Sequence, residues 1–185
     1  CEDNFPRLPV AETRDGPAVE LRVDAVGDSP QDYRIAYTED PARVVLTGQH
    51  REMVAQVMAL FALEAQRDLA LMAPKQTLTH VTCAALEGLR HEFAEHRPDL
   101  VLVQGDTTTA FAAALAAFYD QIPVGHVEAG LRTDNIYDPF PEEANRRLIS
   151  QLAQLHFAPT EQAAANLQAS GVVGAVHVTG NTVID

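Results

Sequence analysis

The chain has 185 residues, 46% apolar and 21% charged, which suits a folded core of ordinary domain size and excludes global disorder. A net charge of −13 argues against a nucleic-acid partner, because a binder of the phosphate backbone needs a basic surface. Cys1 and Cys83 form no CxxC or metal-type spacing, no apolar run approaches the ~20 residues that cross a bilayer, and the acidic, Pro-rich N-terminus is unlike a signal peptide. A cytoplasmic protein without disulfides, metal or membrane contact is therefore expected.

Residues 1–42 differ from the remainder, with ten acidic and four basic residues and five of the eleven prolines. One edge strand is expected there, over 19–26 (VELRVDAV), from its alternating polarity. From Arg43 the pattern becomes regular. A short apolar strand over 43–47 precedes a helix over 49–63, with Met53, Val57, Leu60 and Phe61 on its inner face. A second helix over 78–96 places Val81, Ala85, Leu86, Leu89 and Phe93 inward. The run DLVLV (99–103) reads as a strand buried on both faces of a parallel sheet. An alanine-rich helix over 108–119, a strand over 123–127 and an amphipathic helix over 141–155 follow. A strand over 156–158, a helix from Thr160 to Ser170 stopped by Gly171, and a strand over 175–179 complete the series. Strands alternating with helices in this way predict an α/β fold, a Rossmann-like, doubly wound parallel sheet.

Such a sheet binds ligands at the carboxyl ends of its strands. Three loops there carry chemistry. GDTTT (105–109) offers Gly105 for a tight turn, Asp106 at the strand end and Thr107 near a helix N-terminus; either Asp106 or Thr107 also suits a helix cap. HVEAGLRT (126–133) puts Glu128 at the end of the next strand, with His126 or Arg132 as a potential partner. PFPEEANRR (139–147) places Pro141 and Glu142 at the start of a helix, with Arg146 one turn on from Glu142. Three acids and an arginine facing one cleft would form a general acid–base site with an anion clamp. No Walker-type, GxGxxG, GxSxG or metal-ligand pattern occurs, and no cofactor is implied.

At these loops the sequence resembles the bacterial non-hydrolysing UDP-N-acetylglucosamine 2-epimerases. The shared stretches are TGQHREM (47–53), GDTTT, IPVGHVEAGLRT (122–133), YDPFPEEANR (137–146) and HFAPTE…TGNTVID, spread over residues 43–185 in family order. The resemblance implies one half of a glycosyltransferase-B-type fold, with the nucleotide sugar between two Rossmann-like domains and UDP-GlcNAc and UDP-ManNAc interconverted by loss and re-addition of UDP. It implies Asp106, Glu128 and Glu142 as acid–base carboxylates, Arg146, Gly105 and Thr107 at the substrate, and Gln49, Lys75 and Gln76 at a regulatory UDP-GlcNAc site. It further implies a homodimer. Residues 1–42 lack the family's GTRPEAIK loop, and the chain stops at Asp185, where the family's second domain would begin, so the second domain is expected to be absent and little turnover is expected of the chain by itself. The alternatives are a nucleotide-sugar-binding or assembly module without catalysis, and a hydrolysing relative that releases ManNAc.

Overall fold

A computed structural model describes residues 19–22, 34–37, 43–48, 51–60, 64–71 and 76–181. The chain divides into two compact units, Cys1–Arg43 and Val44–Asp185. In the first, β1 (Val19–Arg22) pairs antiparallel with β2 (Arg34–Tyr37), a partner strand that the sequence pattern did not announce. Residues 23–26 of the expected strand lie outside the described residues.

The second unit begins with β3 (Val45–Leu46), α1 (Arg51–Leu60) and β4 (Arg67–Asp68). β3 and β4 run parallel, tied by the amides of Gln66, Leu69 and Leu71 to the carbonyls of Val44, Leu46 and Thr47. Leu60, expected on the inner face of α1, is exposed instead. A long helix, α2 (Leu78–Glu95), is started by Thr77, whose hydroxyl accepts the His80 N–H. Its buried face holds Val81, Ala85, Leu89 and Phe93, as their spacing predicts.

The sheet that positions the functional loops comprises β5 (Val101–Gln104), β6 (Val124–Val127), β7 (Leu155–Ala158) and β8 (Ala175–Val178), all parallel and side by side in that order. Its connections contain α3 (Thr108–Tyr119), α4 (Glu142–Leu152) and α5 (Glu161–Ala169). The α/β parallel architecture is therefore as expected. Alanines at 110, 112, 114, 116 and 117 are buried, and their small size lets α3 lie between α2 and α4. One core joins Leu89 and Phe93 of α2, Val103, Val124 and Ile149; Val45 and Leu69 pack against it. A second gathers Ala129 and Ala158 with Ala163, Ala164 and Leu167 of α5.

The helix expected over 141–155 is shorter, because Ala153 is extended (ψ 142°) and the Gln154 amide bonds the Val124 carbonyl. Leu155 therefore opens β7. In register across the sheet, His126 of β6 stands beside His156 of β7, and both are fully buried. No described helix is long and apolar enough to cross a membrane, and no cluster of three or more His, Cys, Asp or Glu among the described residues could hold a metal ion.

Candidate active site

Gly105 ends β5 in the left-handed region (φ +70°), while its N–H still bonds the Val127 carbonyl at 3.0 Å. Thr107, and not Asp106, caps α3: its hydroxyl accepts the Ala110 N–H at 3.1 Å and lies 3.0 Å from the Thr109 hydroxyl. That assignment frees the Asp106 carboxylate, which meets Arg146 in an ion pair of 2.8 Å. The guanidinium is nearly buried and the Asp106 side chain 26% exposed, so the pair lies at the edge of a dry region and still faces solvent. The pair is accordingly stronger than a surface salt bridge.

Glu128 follows β6 with φ +64°, an uncommon conformation for a side chain of this size. Its carboxylate accepts from Asn181 Nδ2 at 3.5 Å, and its Oε2 would lie 3.7 Å from a Cβ placed on Gly105. Asp106, Glu128, Gly105 and Arg146 thus gather at the carboxyl ends of β5 and β6. Neither partner expected for Glu128 contacts it. His126 Nε2 instead donates to the Gly105 carbonyl at 2.8 Å, and Arg132 donates to the Leu131 carbonyl and the Ser150 hydroxyl.

The third loop differs in detail from its sequence reading. Pro141 precedes α4, and the Asp138–Pro139 and Phe140–Pro141 peptides are both cis. Glu142 opens the helix, half-buried, where the helix dipole favours a carboxylate. It does not form the expected side-chain pair with Arg146, which reaches only the Glu142 carbonyl, at 3.4 Å. The buried acid is Glu143. It bonds Arg147 at 2.6 Å, stands 3.6 Å from Arg146 and accepts the Thr133 N–H at 3.0 Å. Burial pushes its pKa up, but the Arg147 and Thr133 hydrogen bonds and the two guanidinium charges outweigh burial and hold it below the usual value. In the sequence Glu143 is, beside Glu142, only an acid suited to the positive end of the helix dipole, and Asn145, whose Nδ2 donates to the Asp106 carbonyl at 2.8 Å, was given no role.

Of the expected regulatory residues, Gln49 and Lys75 lie outside the described residues, whereas Gln76 donates to the Leu71 carbonyl at 2.6 Å. Two buried histidines lie under the site. Burial, helped by the positive charges of Arg132 and Arg146, lowers the His126 pKa against the pull of the Gly105 carbonyl and Asp106. His156 is pushed down to about 4, mainly by burial and then by the charges of His126 and Arg132. Neither of its ring nitrogens meets a hydrogen-bond partner, although the nearby Ala153 carbonyl slightly favours the charged form.

Residues 36–185 match the family model described as UDP-N-acetylglucosamine 2-epimerase. The chain belongs to this epimerase family. An Escherichia coli K12 relative named UDP-N-acetylglucosamine 2-epimerase is 52% identical over 168 residues, 89% of this chain and 44% of that protein. Among solved structures, the UDP-GlcNAc 2-epimerase of Neisseria meningitidis bound to UDP-GlcNAc is 55% identical, with a TM-score of 0.72 over 77% of this chain and 39% of that one. The Methanocaldococcus jannaschii enzyme, in complex with UDP-GlcNAc and UDP, is 36% identical with a TM-score of 0.64, over 69% and 34% of the two chains. The chain spans less than half the length of these epimerase relatives.

Proposed function

We propose that the chain forms the acid–base wall of a UDP-N-acetylglucosamine 2-epimerase, interconverting UDP-GlcNAc and UDP-ManNAc. The observation that carries this reading is the Asp106–Arg146 pair beside Glu128, at the strand ends of a family fold whose relatives were solved with UDP-GlcNAc. Inverting C2 requires one group to remove the C2 proton as UDP departs, leaving 2-acetamidoglucal. A second group returns a proton to the opposite face as UDP adds again. Asp106, Glu128 and Glu142 are assigned to these proton transfers, and Arg146 to holding charge at the site. Gly105 leaves room for the ligand to approach the turn, and Thr107 lies at the substrate's edge through the α3 terminus it caps. Gln49, Lys75 and Gln76 are assigned to a regulatory UDP-GlcNAc site. The active form is a cytoplasmic homodimer that binds nucleotide sugar and neither nucleic acid nor membrane.

Because the chain covers under half of each relative, weak binding and little net turnover are expected of it alone. The test is deuterium incorporation at C2 of UDP-GlcNAc in D₂O, followed by NMR at high protein concentration. Incorporation that Asp106→Asn or Glu142→Gln abolishes supports the assignment. No incorporation by a folded sample refutes proton transfer by this wall, and release of free ManNAc would identify hydrolysis instead.

A further inference from the structure

The turn that presents Asp106 is held by its backbone as well as by its carboxylate. Gly105 and Asp106 lie between β5 and α3, where neither carbonyl is placed to join a sheet or helix ladder. Each carbonyl instead receives a neutral donor from a buried side chain. His126 Nε2 reaches the Gly105 carbonyl and Asn145 Nδ2 the Asp106 carbonyl, both at 2.8 Å. His126 is fully buried and Asn145 is 6% exposed, so water does not compete for either bond. Arg146 then takes Asp106 Oδ2, while Oδ1 makes no hydrogen bond among the described residues. The residue is fixed at its peptide and at one carboxylate oxygen.

We propose that Asn145 is a positioning residue: its amide, with the His126 ring beneath it, sets where the Asp106 carboxylate stands for proton transfer. The inference rests on the acid–base role assigned to Asp106 above. Asn145 and Arg146 are consecutive on α4 yet meet the same residue from two sides, one at the carbonyl and one at the carboxylate. Arg146 alone would hold the carboxylate while leaving the peptide that carries it free to shift. The amide fixes that peptide, the point from which the side chain departs, and displacements near 1 Å at a reacting group cost up to about a hundredfold in rate.

Two variants separate donation from shape. Asn145→Ala removes the donor, and Asn145→Asp keeps the shape while its ionised form offers only acceptors. Both are compared with the unaltered 185-residue chain, by ¹⁵N relaxation and shifts of the Gly105, Asp106 and Thr107 amides, and by the C2 exchange assay with UDP-GlcNAc. The expected result is loss of order confined to this turn. C2 exchange should slow about ten- to a hundredfold, with UDP-GlcNAc affinity changed by less than about threefold. An unchanged turn in both variants, or wild-type exchange in Asn145→Asp, would overturn the proposal. If the unaltered chain shows no exchange, the functional reading fails separately, and the order of the turn alone decides the positioning role.

Discussion

His156 offers a direct test of how the sheet interior is built. Its ring is fully buried beside His126, and its pKa falls from the ordinary 6.5 to about 4. Between those two values the unfolded chain carries a proton on this ring that the folded chain does not. Stability contributed by the neutral ring is therefore whole above pH 6.5 and is lost progressively as the pH falls towards 4. The full difference is about 3 kcal/mol, of which about 2 kcal/mol is already gone at pH 5. That is a large share of the roughly 5–15 kcal/mol that holds a domain of this kind together. The perturbation is His156→Leu, similar in volume and without a proton to gain, which also removes two ring nitrogens that lack hydrogen-bond partners. Urea unfolding of both proteins at half-unit steps from pH 7.5 to 4.5 gives the comparison. The wild type should lose stability faster by up to about 1.4 kcal/mol per pH unit in the middle of the range. His126 and His177 are also shifted down by burial and are present in both proteins, so only the difference between the curves reports on His156. Parallel curves would refute the burial argument.

Glu143→Gln should destabilise the chain by about 1–2 kcal/mol at pH 7, since it weakens the hydrogen bonds to Arg147 and Thr133, while Arg147 stays solvated and Arg146 keeps its pair with Asp106. Its depressed pKa makes this contribution complete above the ordinary carboxylate value of 4.5 and lost as pH falls through the lower folded value, so the gap between the urea curves of wild type and variant should narrow only below about pH 4.5. Gly130→Ala should cost at least about 2 kcal/mol in the same assay, because residue 130 has φ +92° and an added Cβ would collide with the Ala163 carbonyl. Thr107→Ala should lower stability by about 1 kcal/mol through loss of the α3 cap, with Thr107→Ser close to wild type; equal losses would contradict the capping role.

The parts of the fold that the sequence made legible are those in which one residue type can satisfy only one environment. The run DLVLV was legible as a strand, realised as Val101–Gln104, but not as one buried on both faces, since Val103 is buried and Leu102 exposed; the alanines of 110–117 were legible as a helix. Thr160 before a helix was readable as a cap, and its hydroxyl does accept the Ala163 N–H. β4 was illegible because its two residues, Arg67 and Asp68, are charged and exposed; its backbone pairs with β3 without any apolar signature. The same limit applied at α4. Two adjacent glutamates face two adjacent arginines, so an i,i+4 pair can be drawn as Glu142–Arg146 or Glu143–Arg147. The helix's rotation against the sheet decides it, burying Glu143 and leaving Glu142 at the edge. His126 is fully buried within β6, and Glu128 leaves the strand with φ +64°, a backbone turn that strand alternation does not announce.

α4 explains why these wrong and right readings meet in one place. Around Ile149 its buried face carries Glu143, Asn145, Arg146 and Ser150, where an ordinary helix of this size would bury leucines. Apolar side chains of similar volume are often as stable as a buried ion network or more so, so stability alone does not favour this choice. Geometry does. From one rigid helix, Asn145 and Arg146 hold Asp106 at the end of β5, Glu143 and Arg147 hold Thr133 in the loop after β6, and Ser150 receives Arg132. Two loops that the chain separates by more than twenty residues are thereby set against each other by polar contacts with fixed directions, which apolar packing would not supply. The polar face of α4 therefore trades some stability for the placement of Asp106.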